Sequence, residues 1–474
     1  MNNLKRLKNE FVNVPDLIIK TLKLNLFRSI YIVYLETVTS SDKVNEYVLK
    51  DLILKINDHH IGNIENVLAG PHEVKLSKPD EMEYYITSGF VLVLDGNKIF
   101  ALEAKGNLTR NITTTTVQES VNGPKDAFCE NYQLNIGLIK RRIKTNTLKT
   151  ENVIVGRKTK TQVGILYLED VTDINLVNYV KERLLKSDID GVVDSTEVAH
   201  LIDGENKTVF PTMYSSERPD AASSSLLDGK IVIVVDTATF VLIAPAFFID
   251  FINPINDYYS KSINVNFIKL LRILCFLTAM LTPAIYVALV NFNQETIPTK
   301  ILLNFAVQHE GIPFPTVIEA LIMLIVCEIL RESDLRFPSN YGSAISILGA
   351  LIIGQASVSA GIVSPIIIII VALTFVSSLV FTDIDMVHAI RYFRFLYLLC
   401  ASILGLYGII LATFYLIITL ANIKSLNKSY SLPFAPFDPV YLYKSLFQSQ
   451  FKKDILRSSY LVNKNYHKKR KMAE

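Results

Sequence analysis

Residues 337–382 read FPSNYGSAISILGALIIGQASVSAGIVSPIIIIIVALTFVSSLVFT, a run of 46 positions without a charged side chain. One helix of this length would extend about 69 Å at about 1.5 Å per residue. The hydrocarbon core of a bilayer is only about 30 Å thick. The run is therefore too apolar for a soluble loop and too long for one straight span, so it must bend, break or cross twice.

Small and polar residues occupy the middle of this run, between Gly354 and Gly361 (GQASVSAG). Irregular backbone at membrane depth is tolerated only where it is buried in protein or lines a watery cavity. This pattern indicates a pore-lining segment with an aliphatic constriction that gates by dewetting. The residues predicted to line the path are Ser346, Leu351, Ile352, Gln355, Ser357, Ser359 and Glu319.

The spacing of small residues over Gly349–Gly361 is equally compatible with close helix packing, which would be a purely structural role. A single chain with about four spans encloses a channel poorly, whereas a ring of identical chains can enclose one. The pore interpretation therefore includes homo-oligomerisation.

Composition divides the chain into two unlike parts. The 474 residues carry a net charge of +3, which does not suggest a nucleic-acid partner, and half of them are hydrophobic. The mean hydropathy of +0.32 averages a charged part before about residue 220 and an apolar part between about 266 and 422. The fold class predicted is an α/β soluble N-terminal region followed by an α-helical polytopic membrane domain with a broken transmembrane segment.

The region 1–215 is predicted to hold two small α/β subdomains divided near residues 106–123. Residues 15–23 favour a helix, and residues 89–102 predict a hairpin around Asp95-Gly96-Asn97. The N-terminus lacks the apolar core and cleavage site of a signal peptide, so we expect this region to be cytoplasmic.

Residues 216–260 are predicted to form a linker, a strand and an interfacial segment. Residues 217–229 are polar and typical of a linker, and residues 231–235 are typical of a strand. The apolar stretch 240–252 is too short for a span and contains Pro245, which favours an interfacial or re-entrant segment.

Residues 261–424 are predicted to be the transmembrane domain, with four crossings. The predicted spans are 268–292, 317–330, the broken segment 343–381, and 395–423. The tail 425–474 is basic and is expected to be cytoplasmic, as is the N-terminal region.

Two acidic residues, Glu319 and Glu328, fall inside predicted spans. A carboxylate in lipid is costly and by default faces a bundle interior, a cavity or the interface. Nine residues at about 100° each place the two on opposite helix faces, so they are not expected to share a site. Glu328 is predicted to pair with Arg331, and Glu319 either attracts cations at a vestibule or caps the helix start.

No enzyme signature is present in the sequence. Phosphate loops, dinucleotide fingerprints, zinc-protease motifs and nucleophile elbows are all missing. The four cysteines are widely separated, and the His59-His60 pair has no evident partner ligands. We therefore predict no catalytic, cofactor-binding or metal-binding residue, and no cofactor.

Several motifs together resemble spore germinant receptor A subunits, the GerA family. They cover nearly the whole chain: Glu119, Gly123-Pro124, Phe128, Asn135, Ile139–Arg142, Glu217–Asp220, Leu227, Gly229, Ile231–Asp236, Phe240–Ala246, Asp257–Tyr259, Gly311–Pro315, Glu319-Ala320, Gly354–Ala356, Gly361–Pro365 and Pro433–Pro436. Two departures remove turn glycines. The family usually has Asp-Gly-Thr-Pro where this chain has Asp236–Thr239, and often Asp-Gly where it has Glu36-Thr37.

The resemblance implies a protein of the inner spore membrane that acts with a permease-like B subunit and a lipoprotein C subunit. It implies that the B subunit binds the nutrient, while the A subunit forms a ring, with a pentamer as the expected number, around a ligand-gated pore for monovalent cations. The resulting hypothesis is a nutrient-gated cation channel that triggers germination.

Two alternatives remain open at this point. One is a non-conducting scaffold subunit of the receptor complex. The other is a secondary transporter with its own site at the Gly354–Gly361 break, which would carry an internal repeat of the span pattern that is not evident in the sequence.

Overall fold

The computed structural model places two β-sheet subdomains ahead of a helical region. The residues it describes are 2–25, 28–50, 52–53, 73–76, 79–96, 98–106, 115, 117–118, 120, 122–204, 208–336, 349, 352–447, 457 and 461–462.

The first subdomain is a five-stranded antiparallel sheet in the order β1-β2-β4-β5-β3. Its elements are α1 (Asn2–Glu10), β1 (Leu17–Asn25), β2 (Arg28–Leu35), α2 (Ser41–Val44), β3 (Glu73–Leu76), α3 (Met82–Thr87), β4 (Phe90–Asp95) and β5 (Lys98–Glu103). A separate cluster of buried apolar side chains covers each face of the sheet.

The helix predicted over residues 15–23 is wrong, because these residues form β1. Leu17 and Ile19 pack into one core of the first subdomain, while Ile18 and Leu22 pack into the other. A strand whose apolar side chains contact cores on both faces of its sheet shows no clean alternation, and its sequence is then easily mistaken for that of a helix. The predicted hairpin is confirmed, since β4 and β5 pair in register around Gly96.

The second subdomain repeats the same topology, with the order β6-β7-β9-β10-β8. Its elements are α4 (Tyr132–Arg142), β6 (Leu148–Val155), β7 (Thr161–Leu168), α5 (Ile174–Lys186), α6 (Ser195–Asp203), β8 (Tyr214–Ser216), α7 (Pro219–Leu227), β9 (Ile231–Val235) and β10 (Val241–Ala244). In each subdomain a helix precedes two paired strands. The third of the five strands along the chain, β3 or β8, lies at one edge of the sheet. The two subdomains are therefore structural repeats.

The linker predicted over residues 217–229 and the interfacial segment predicted over 240–252 are both wrong. Most of the first is the buried helix α7, and β10 in the second is an interior strand between β9 and β8. Alanines and serines in α7 suit close packing against a sheet as well as they suit a linker. The second sheet thus extends well past residue 215.

Thr237 follows β9 with a φ of +69°, in the left-handed region that favours glycine. This is the position at which the chain departs from the Asp-Gly-Thr-Pro pattern described above. The turn keeps a glycine-like backbone despite the β-branched side chain.

The helical region follows residue 261. Its helices are α8 (Ser262–Asn291), α9 (Thr299–His309), α10 (Thr316–Arg336), α11 (Pro365–Ser378), α12 (Ile384–Leu404), α13 (Leu406–Asn422) and α14 (Pro439–Leu446). Residues 352–359 are also helical and precede α11.

The long uncharged run folds back on itself within its described part. A Cβ at Gly349 would lie 3.2 Å from Leu330 near the end of α10, whereas one at Gly361 would lie 3.9 Å from the carbonyl oxygen of Gly311 before α10. The 352–359 helix therefore runs antiparallel to α10, away from the second subdomain, and α11 returns.

A second turn divides the predicted span 395–423, which is therefore not one helix. Gly405 has a φ of +60° and separates α12 from α13. The two helices are antiparallel, because the Tyr397 hydroxyl lies 3.1 Å from Thr413 Oγ1 and a Cβ at Gly408 would overlap the carbonyl of Cys400. The described parts of the four predicted spans therefore contain six helical segments.

The predicted tail 425–474 packs on the second subdomain where it is described. Ser425 Oγ donates to the carbonyl of Thr212 at 2.5 Å and accepts from the backbone N–H of Ala246 at 3.0 Å. Leu461 and Val462 are buried in the core that the second sheet shares with α8 and α12. The chain therefore enters and leaves the helical region at the same end.

Candidate functional site

The 352–359 helix ends in a glycine C-cap. The N–H of Ile362 donates to the carbonyl of Ser357 at 2.9 Å, and the N–H of Gly361 donates to that of Val358 at 3.0 Å. With Gly361 at a φ of +64°, this is a Schellman motif. Gly354 and Gln355 lie inside the helix, so the break falls at residues 360–364 rather than across Gly354–Gly361.

Three of the predicted pore-lining residues share the exposed face of this helix. Ile352, Gln355 and Ser359 lie within about 60° of one another at about 100° per residue. All three are exposed in the single chain, Ile352 to 55%. Ser357 lies on the opposite face of the helix, about 140–160° from these three residues, and is half-buried. Ser346 and Leu351 lie outside the described residues.

Glu319 lies elsewhere, buried at the start of α10. Its Oε2 accepts from the backbone N–H of Ser364 at 2.7 Å, and its Oε1 lies 3.1 Å from His309 Nδ1. His309 Nε2 in turn lies 3.0 Å from the Tyr286 hydroxyl. The carboxylate is fully covered in the single chain, so it is not brought together with the exposed face of the 352–359 helix.

Glu328 is directed to a different site, as the helical spacing predicted. Its predicted pairing with Arg331 is confirmed at 3.8 Å. Two further partners come from α12, with Arg391 Nε at 2.9 Å and Arg394 Nη1 at 3.5 Å. Sequence reasoning missed both arginines, although their spacing of three on a largely apolar helix was a visible signal.

Gly361 and Gly354 provide a matched pair of substitutions for the helix end. Gly361→Ala is expected to destabilise the chain by about 1 kcal/mol, because an L-residue resists the left-handed conformation. Gly354→Ala, inside the helix with nothing near its Cβ position, is expected to be neutral or to stabilise by up to about 1 kcal/mol. Thermal unfolding followed by circular dichroism measures both, since the chain has no tryptophan. Equal midpoints would contradict the assigned helix end.

The fold is thus a pair of repeated α/β subdomains carrying an up-and-down set of apolar helices. Among the described residues, α8 and α12 are long and apolar enough to cross a membrane, by length and composition. α11 and α13 are shorter apolar helices.

The chain belongs to the Bacillus/Clostridium GerA spore germination protein family, which it matches over residues 5–460. It is 36% identical to spore germination protein KA of Bacillus subtilis (strain 168), over 94% of this chain and 84% of that protein. It is 31% identical to spore germination protein GerLA of Bacillus cereus, over 91% of this chain and 89% of that protein. The resemblance identified from the motifs is confirmed.

Two further similarities concern a membrane protein and a solved structure. The chain is 34% identical to the uncharacterized membrane protein YfkQ of Bacillus subtilis (strain 168), over 86% of this chain and 80% of that protein. The crystal structure of the N-terminal domain of the A subunit of the Bacillus megaterium spore germinant receptor GerK3 aligns with a TM-score of 0.41 and 29% identity, over 52% of this chain and 94% of that one.

Proposed function

We propose that this chain is a polytopic subunit of a nutrient-sensing receptor in the inner spore membrane and forms an oligomeric, nutrient-gated cation channel. Its partners are a permease-like B subunit, a lipoprotein C subunit, further copies of itself (a pentamer is expected), membrane lipid and monovalent cations. Family membership supports the receptor role. The helical hairpins support both termini on the same side of the membrane, which we take to be the cytoplasmic side because the tail is basic.

The observation that carries the channel proposal is the exposed face of the 352–359 helix. Gln355 and Ser359 are exposed there beside Ile352. In a hydrocarbon environment an exposed amide and hydroxyl need a polar partner or water. A ring of chains that turns these faces toward a common axis supplies water to Gln355 and Ser359 and makes Ile352 the apolar constriction.

The test is ion flux in liposomes that contain the full chain, with and without the B and C subunits. We expect potassium efflux that requires nutrient and all three subunits, because the pore is gated through the complex. Assembled complexes that show no flux with any nutrient would contradict the channel and favour the scaffold.

A further inference from the structure

The Glu328 cluster, made of Glu328, Arg331, Arg391 and Arg394, carries more positive than negative charge. Among the described residues within salt-bridge distance, three guanidinium groups face one carboxylate. A buried excess of cationic charge is costly unless it is paired.

The arginines are held firmly in place, but their hydrogen-bonding capacity is not used up. Arg394 is 1% exposed and donates from Nε to the carbonyl of Ala279 at 2.8 Å. Arg331 donates from Nη2 to Ser378 Oγ at 2.7 Å and lies over the ring of Phe375. Arg394 Nη2 and Arg331 Nε are nevertheless buried without a hydrogen-bond partner in the described part of the chain.

Of the four side chains in the cluster, that of Arg391 is the most exposed, at 31%. Ile325 and Ile329, which are close to Glu328 along α10, are about half exposed. An anion that approaches there meets guanidinium groups at its charged end and aliphatic surface beside it. That combination suits a phosphate ester with acyl chains better than a free ion.

The height of the cluster along the helices agrees with such a ligand. Phe393, between the two arginines of α12, has its ring 5.4 Å from Phe210 of the second subdomain. Arg391 is the eighth residue of α12, so the cluster lies about 10 Å along that helix, on the side of the helical region nearer the second subdomain, and long guanidinium side chains there can reach a headgroup of that leaflet. Basic pockets between helices on the cytoplasmic side are known to hold anionic lipid headgroups.

We propose that the Glu328 cluster binds the phosphate of an anionic phospholipid from the leaflet next to the second subdomain. This inference rests on the membrane location in the proposed function, but not on conduction. The bound phosphate would accept hydrogen bonds from the exposed part of the Arg391 guanidinium and would place negative charge beside the buried guanidinium groups of α10 and α12.

The experiment uses the purified full-length chain in detergent with dioleoyl phosphatidylglycerol as the probe. The variant is Arg391→Gln, at the most exposed side chain of the cluster, and the control is Lys424→Gln, which removes one exposed positive charge at the same end of the helices. Phosphatidylglycerol is expected to raise the unfolding midpoint of the wild-type chain and of the control equally. Arg391→Gln is expected to need about tenfold more lipid for half the rise, because one charge-assisted hydrogen-bonding group is lost.

Phosphatidylcholine and inorganic phosphate, at matched concentration, are expected to leave the midpoint unchanged. The same phosphatidylglycerol response in Arg391→Gln as in the wild type overturns the site. If inorganic phosphate raises the midpoint as much as phosphatidylglycerol does, the site binds free phosphate, and the assignment of a lipid as its ligand is overturned. If Arg391→Gln loses self-association and this loss does not depend on lipid, the lipid site is overturned, and a carboxylate from a second copy of the chain is the partner of Arg391 instead.

The failure of this inference is distinguishable from failure of the proposed function. A wild-type chain that is found in the membrane fraction but does not respond to phosphatidylglycerol overturns the lipid site alone. If the wild-type chain is absent from the membrane fraction, the proposal that it is a membrane subunit is overturned as well.

Discussion

Arg218→Met is expected to lower the free energy of unfolding by about 3–5 kcal/mol, because it leaves the Asp220 carboxylate buried without its counter-ion. Arg218 is 1% exposed, and its Nε and Nη2 donate to the two oxygens of Asp220 at 3.0 and 2.6 Å. Burial alone would raise the pKa of Asp220, but hydrogen bonds from Arg218 and from the Tyr259 hydroxyl bring that pKa below its usual value. The measurement is the thermal unfolding midpoint by circular dichroism.

Two further variants separate charge burial from a general loss of arginine. Arg141→Met removes an exposed arginine from α4 and is expected to change stability by less than about 0.5 kcal/mol. Arg218→Met combined with Asp220→Leu removes both charges and is expected to recover much of the loss, since an apolar pair can replace a buried ion pair. If the single Arg218 variant unfolds with the midpoint of Arg141→Met, the buried pair is not a stabilising contact.

The pair also explains one of the motifs that carried the family resemblance. Arg218 precedes α7 and Asp220 lies in its first turn, while Tyr259 lies just ahead of α8. The Glu217–Asp220 signature therefore fixes the second subdomain to the start of the helical region. Its role in the structure is to hold these two parts together, which is a separate matter from the proposed pore.

Ile352→Asn is expected to raise nutrient-independent potassium efflux from liposomes that contain the assembled receptor by at least about tenfold. An amide in an apolar constriction lets water remain there, and a gate that works by dewetting then stays open. The measurement is efflux before and after nutrient is added, from receptors of equal assembly.

Ile369→Asn is the matched control, because Ile369 is also exposed but lies on α11. It makes the same chemical change on a helix that is not predicted to line the path, so efflux without nutrient is expected to match that of the wild type. An equal leak from both variants would indicate general bilayer disruption. The absence of a leak from well-assembled Ile352→Asn receptors would place the constriction elsewhere.

Local patterns predicted the elements whose signals are local. The hairpin around Gly96 and the strand β9 follow from turn residues and β-branched runs. The pairing of Glu328 with Arg331 is likewise a contact between residues three apart on one helix. Each of these structures depends on interactions between residues close in the chain.

Segments that depend on distant partners were assigned wrongly. Residues 15–23 and 240–252 contain strands because β2, β8 and β9 pair with them, and no local feature shows this. The sequence did not predict the hairpin at Gly405, because the leucine and isoleucine residues on both sides of it form one continuous apolar stretch. A single glycine in an apolar run does not distinguish a continuous helix from a turn.

The sequence by itself determined the family, the division into a charged α/β part and an apolar helical part, and the need for a break in the uncharged run, because hydropathy and chain length alone restrict these. Only the tertiary structure decided that the two subdomains repeat one topology, that two of the four predicted spans fold as helical hairpins, and that three arginines converge on Glu328. These outcomes depend on contacts between residues that are distant in the chain, such as Val163 with Val235 and Glu328 with Arg394. The packing free energy that selects such pairs is not encoded in any short stretch of the chain.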